Sequence, residues 1–110
     1  MNIGILGMGF VGGTTAKIFE RVHKILPYDK YKKPYNSRKN IEDLTNKSEV
    51  VFICVPTPMK FSGKIDYLPI NDSLTVLTEK TSHLEKRPMV IIRSTAVSGT
   101  TDNLEAKYPI

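Results

Sequence analysis

Apolar and polar residues follow one another along this chain in blocks whose period switches between that of a strand and that of a helix. A short apolar run, about Asn2–Leu6, predicts a first strand. Val11, Thr15, Ile18, Phe19 and Val22 then recur at helical spacing, predicting a helix from about Phe10 to Val22. A second strand is expected over about Lys24–Tyr28, where Pro27 suits an edge position or a strand end. A short helix over Ile41–Asn46 follows, with Asn40 as its N-cap. The continuous run Val50–Val55 has the character of a strand buried on both faces, and Pro56-Thr57-Pro58 ends it. Next comes a helix beginning near Pro69, with Ile70, Leu74, Leu77, Thr81 and Leu84 on one stripe. Met89–Arg93 is a fourth strand, and a last helix is expected from about Thr100 or Thr101.

Strands alternating with helices predict an α/β fold, a doubly wound parallel sheet covered on both faces. Right-handed crossovers put about four strands in the order 2-1-3-4. The gap between the first and third strands is then the switch point where ligands bind, beyond the strands' carboxyl ends. The stretches Lys30–Asn40 and Met59–Asp66 are expected to be its mobile loops.

The first strand runs into Gly7-Met8-Gly9-Phe10-Val11-Gly12. A dinucleotide diphosphate needs such a segment: one glycine for the tight turn, one for close approach of the backbone, and one for packing the helix on the strand. The helix N-terminus adds free N–H groups and a positive dipole end. The acid expected roughly 20 residues further on, where it takes the adenosine ribose hydroxyls, is matched by Asp29.

At 110 residues the chain makes one domain, residues 1–110, with an ordinary soluble composition of 40% hydrophobic and 25% charged residues. It has no apolar run long enough to span a bilayer and no signal-like leader, so no membrane partner and a cytoplasmic location are expected. The single cysteine, Cys54, excludes an internal disulfide and a cysteine-based zinc site, and its place inside an apolar run marks it as a structural thiol. The net charge of +5 gathers at Lys30, Lys32, Lys33, Arg38 and Lys39. That cluster reads as a rim attracting an anionic cofactor or as a solvated loop; no nucleic-acid module surrounds it, and no nucleic-acid partner is expected. Neither His23 nor His83 has neighbours suggesting a triad or a metal site, so no catalytic and no metal-binding residue is assigned.

Two more segments fall at strand ends, Val55-Pro56-Thr57-Pro58 and Arg93-Ser94-Thr95 with Gly99-Thr100-Thr101. With the glycine segment, in this order, they resemble the UDP-glucose/GDP-mannose dehydrogenase family. The resemblance implies a Rossmann-like fold and NAD as cofactor. It also implies a four-electron oxidation of a nucleotide-sugar C6 alcohol to the uronate by two hydride transfers. Carried over by position, Gly7 to Gly12 hold the diphosphate and Asp29 takes the ribose. Lys33 supports that ribose, and Val55, Pro56, Thr57 and Thr95 line the nicotinamide side.

The chain also departs from the family pattern. Ser98 stands where the family commonly has proline, and the stretch from Asp29 to Glu49 is short for the family. Relative to the family domain the sheet looks truncated, with the substrate and dimerisation parts and the catalytic cysteine lying beyond Ile110. The expectation is therefore a chain that binds NAD without turnover and meets a nucleotide sugar only in a full-length context. Self-association through the exposed flank of the fourth strand is also expected. Two alternatives stay open: an NAD-sensing module without chemistry, and a fragment of another NAD(P)-dependent dehydrogenase of the hydroxyisobutyrate or phosphogluconate type.

Overall fold

Four parallel strands form one sheet in the computed structural model of the chain, which describes residues 1–56 and 67–93. The elements are β1 (Asn2–Leu6), α1 (Phe10–Phe19), β2 (Lys24–Tyr28), α2 (Arg38–Lys47), β3 (Val50–Ile53), α3 (Leu68–Thr81) and β4 (Met89–Ile92). The strand order is β2-β1-β3-β4, as the crossover rule requires. The expected last helix and the Met59–Asp66 loop lie outside the described residues.

Because side chains alternate along a strand, each apolar strand feeds two cores. Leu6, Val51 and Ile53 face α2 and α3, where they pack with Leu44, Ile70, Leu74 and Leu77. Ile3, Ile5, Phe52 and Cys54 face α1 and pack with Met8 and Ala16. Each fully buried Leu or Ile contributes about 1.5–3 kcal/mol, and Ile5, Leu44, Ile53, Ile70 and Leu74 are entirely inaccessible.

The helices show where periodicity alone misleads. The face that α1 buries is Gly12, Thr15 and Ala16, whereas Val11, Ile18 and Val22 stay exposed. This helix packs so closely on the sheet that only small residues fit beneath it, so the larger apolar residues point away. It also ends at Phe19 rather than Val22. Helix α2 starts three residues before the expected position: Ser37, not Asn40, is its N-cap, accepting a hydrogen bond from the Asn40 N–H at 3.1 Å. Asn40 instead donates its side-chain amide to the Pro27 carbonyl at 3.0 Å, tying α2 to the edge strand β2. Helix α3 buries Ile70, Leu74, Leu77 and Thr81 of the expected stripe, with Pro69 in its first turn, but ends at Thr81, so Leu84 lies beyond it.

Of the stretch Lys30–Asn40, expected as a mobile loop, residues 30–37 fold into consecutive turns and the rest begins α2. Asp29 N–H donates to the Tyr35 carbonyl at 3.1 Å, and Tyr35 N–H to the Lys32 carbonyl at 2.9 Å. On the α1 side of the sheet, Met89 and Ile91 of β4 remain exposed. Among the described residues β4 pairs with β3 alone.

Candidate functional site

Strand register assembles the site. Leu6 pairs with Tyr28 and with Ile53, and Ile53 pairs with Ile92, so the four strands end in one row. The residues that come next, Gly7, Asp29, Cys54 and Arg93, therefore emerge together at the carboxyl edge. Three backbone hydrogen bonds extend the row: Gly7 N–H to Tyr28 O at 2.7 Å, Cys54 N–H to Leu6 O at 2.8 Å and Arg93 N–H to Ile53 O at 2.9 Å.

The three glycines of the loop are glycine for different reasons. Gly7 has φ of +101°, a region open to glycine, and a Cβ there would also meet the Cys54 backbone at 2.8 Å. A Cβ on Gly12 would lie 1.8 Å from the Gly7 carbonyl oxygen. The fold itself requires both. Gly9 is another case: its φ is −76°, and a Cβ there would meet nothing within 4 Å. Among the described residues nothing demands glycine at this position, and the space above it is open. A ligand lying on the loop would account for it.

Gly9 is also the N-cap of α1 and supplies no side-chain cap. The N–H groups of the first turn have no intrahelical acceptor, so they are free to take an anion's oxygens. Asp29 stands opposite. Its Oδ2 accepts from the Met8 N–H at 2.8 Å and its Oδ1 from the Tyr31 N–H at 2.9 Å. A carboxylate has about four acceptor sites, so the two oxygens keep capacity for two sugar hydroxyls while held in place by the backbone. Lys32 completes the arrangement, its Nζ donating to the Met8 carbonyl at 3.0 Å. Both sides of the Met8 residue are thus fixed from the turn that follows β2.

Two cavities meet over this edge. One, of about 460 Å³, is lined by Gly7, Gly9, Phe10, Val11, Lys32, Cys54 and Arg93 among others. The second, of about 500 Å³, runs from Leu6 and Tyr28 across to Leu68, Pro69 and Val76 of α3. Both include Gly7, Asp29, Tyr31, Val55 and Pro56. Asp29 lines both cavities, with the glycine loop on one side and α3 on the other.

Of the residues picked from the sequence, Gly7, Gly9, Phe10, Val11, Asp29, Val55 and Pro56 come together around the cleft. Met8 and Gly12 lie beneath it, buried. Lys33 is exposed and lines neither cavity. Thr57 and Thr95 lie outside the described residues. The sequence reading missed Tyr31 and gave no individual role to Lys32 or Arg93, which also line the cleft. Arg93 had a usable signal, since it follows an apolar strand directly, as Gly7 does.

Cys54 is buried, and loss of solvent raises its thiol pKa, against smaller lowering effects from a hydrogen bond with Thr15 and from the Arg93 charge. That environment disfavours the thiolate a nucleophile needs. His23 lies between α1 and β2 and His83 follows α3; no group of three metal-ligating side chains occurs among the described residues. No helix among them is long and apolar enough to cross a membrane.

A parallel sheet with this order, a glycine turn at its switch point and an acid closing the next strand define a Rossmann-type dinucleotide-binding domain. Comparison with known proteins narrows the class. The NAD binding domain of the UDP-glucose/GDP-mannose dehydrogenase family matches residues 26–108, and the chain belongs to that family. Its cofactor is NAD. Protein CapL of Staphylococcus aureus is 27% identical over 123 residues, a match covering 92% of this chain and 28% of CapL.

Solved structures share the fold. A GDP-mannose dehydrogenase from Pseudomonas aeruginosa superposes with a TM-score of 0.80 at 24% identity, over 94% of this chain and 30% of that one. A UDP-glucose dehydrogenase from Pyrobaculum islandicum gives 0.79 at 20% identity, over 96% and 31%. The UDP-N-acetyl-mannosamine dehydrogenase Cap5O from Staphylococcus aureus gives 0.69 at 18%, over 97% and 32%. The chain thus spans roughly a third or less of the length of these relatives.

Proposed function

We propose that this chain is the cofactor half of a nucleotide-sugar dehydrogenase that oxidises the C6 alcohol of a UDP- or GDP-sugar to the uronate by two hydride transfers. NAD supplies the hydride acceptor; the chain supplies its binding and orientation. The diphosphate lies on the loop Gly7 to Gly12, where Met8 is held from both sides and the first turn of α1 offers its N–H groups. Asp29 takes the ribose hydroxyls on its remaining acceptor sites, with Lys32 in the supporting position that the family resemblance implied for Lys33. Val55 and Pro56, which line both cavities, stand toward the nicotinamide, the side to which the family resemblance also assigns Thr57 and Thr95.

The observation that carries this reading is the open space above Gly9. The family membership gives the cofactor, and the open space at Gly9, the one glycine of the Gly7–Gly12 loop that no described neighbour requires, supports placing its diphosphate there.

The nucleotide sugar and the whole reaction belong to a longer architecture, since the relatives named for GDP-mannose, UDP-glucose and UDP-N-acetyl-mannosamine are about three times this length. Alone, the 110-residue chain binds NAD without forming NADH from a nucleotide sugar. Calorimetry with NAD and an NADH absorbance assay with UDP-glucose and GDP-mannose test both halves. Binding at one site without NADH formation is expected. Failure to bind NAD contradicts the first half, and turnover of UDP-glucose contradicts the second.

We also propose that copies of the chain associate through the β4 side of the sheet, where Met89 and Ile91 lie exposed. Sedimentation at rising concentration tests this; a monomer throughout contradicts it.

A further inference from the structure

The slot beyond Asp29 has a polar group whose chemistry bears on the base. Its walls are apolar where Tyr28, Leu68, Pro69 and Val76 line it, and α3 adds three polar side chains, Asp72, Ser73 and Thr75. The two hydroxyls spend their hydrogens on their own helix: Ser73 Oγ donates to the Pro69 carbonyl at 2.8 Å and Thr75 Oγ1 to the Asn71 carbonyl at 2.9 Å. Across the slot, the Lys30 amine is drawn to the face of Tyr31, 5.5 Å from the ring centroid. Asp72 differs from all of these, having no hydrogen-bond or ion-pair partner among the described residues.

With the diphosphate on the glycine loop and the ribose at Asp29, the base of the dinucleotide enters this slot. We propose that Asp72 reads that base, accepting a hydrogen bond from the exocyclic 6-amine of adenine and so selecting adenine over 6-oxopurines. A carboxylate is an acceptor only. Adenine presents a donor at position 6, whereas hypoxanthine presents a carbonyl oxygen that would face the carboxylate acceptor to acceptor. Apolar walls sandwich either ring equally well, so discrimination falls to the polar group at the edge. The inference rests on the NAD reading of the site.

The test is calorimetry with NAD and with nicotinamide hypoxanthine dinucleotide, which differ at that position, on the wild-type chain and on Asp72→Asn and Asp72→Ala. Asp72 is exposed at the helix surface, so both variants should keep the fold, as circular dichroism will show. NAD should bind at least about tenfold tighter than the hypoxanthine analogue to the wild type, the scale of a hydrogen bond to a charged group. Asp72→Ala should remove most of that preference. Asp72→Asn, whose amide can donate to a carbonyl, should erase or invert it. Equal binding of both dinucleotides by the wild type, or a preference that survives in both variants, overturns the assignment of Asp72 while leaving NAD binding in place. Binding of neither by the wild type overturns the cofactor reading and this inference with it.

Discussion

The carboxylate of Asp29 accepts the backbone N–H of Met8 at 2.8 Å, which locks the end of the second strand to the middle of the glycine loop. One side chain thus shapes the turn and also faces the cleft. Asp29→Asn turns one acceptor oxygen into a donor and puts that bond at risk. A part-buried N–H left unpaired costs about 1–3 kcal/mol, so the thermal midpoint should fall measurably. Affinity for NAD should fall as well.

Cofactor choice follows from the same carboxylate. A 2′-phosphate would compete with Asp29 for its place and meet like charge. NAD should therefore bind at least about tenfold tighter than NADP, despite Lys30, Lys32 and Lys33 close by in the chain. Asp29→Ala should narrow the ratio. Side-by-side calorimetry checks it, and tighter NADP binding would contradict the assignment.

Gly9 and Gly12 should separate binding from stability. Gly12→Ala forces a methyl group to within 1.8 Å of the Gly7 carbonyl. Relieving that contact means moving backbone, at a cost of about 3 kcal/mol or more. Gly9→Ala meets open space and loses only a favourable N-cap residue, about 1 kcal/mol at most. Its Cβ stands where the diphosphate would lie, so NAD binding should drop by more than about tenfold, a loss of one hydrogen bond's scale or greater. Urea melts and calorimetry on the two variants check both halves.

Cys54 should behave as a packed thiol. Burial pushes its pKa above the ordinary value of 9.0, so the native chain keeps this proton where the unfolded chain has lost it. Native protein then binds more protons than unfolded protein, and this contribution to stability falls as pH rises past the ordinary value. Disulfide-exchange reagents should react slowly with folded chain at mildly alkaline pH and fast once urea unfolds it. Prompt reaction in the native state would contradict this.

The helix ends and cores offer a stability check independent of any ligand. Leu74→Ala empties a fully buried site and should cost about 2–5 kcal/mol. Ser37→Ala removes the oxygen that caps α2 and should cost about 1 kcal/mol. Urea unfolding followed by far-ultraviolet circular dichroism measures both.

The sheet was the most legible part of this sequence, because Val50 to Cys54 and Met89 to Ile92 are uninterrupted apolar runs and crossover handedness leaves little choice of order. The glycine turn was legible through its spacing to Asp29. Helix α1 was not, since tight packing on a strand favours Gly12, Thr15 and Ala16 over the bulkier residues that mark a hydrophobic stripe. Position along the chain pointed to Lys33, whereas Lys32 is the lysine that lines the cleft and bonds the Met8 carbonyl. The chain turns repeatedly between Asp29 and Ser37, so no regular period there tells which lysine reaches the cleft. Asp72 carried no sequence signal at all, because only the packing of α3 across the sheet brings it to the slot.

The central claim is that NAD lies along the cleft with its diphosphate on the glycine loop. A titration of isotope-labelled chain with NAD, followed by amide nuclear magnetic resonance, tests it most directly. The account predicts that the amides of Gly7 through Gly12, together with Asp29 and Tyr31, shift saturably while those of α2 remain in place. Saturable shifts elsewhere with that loop unmoved, or no shifts at all, would contradict it.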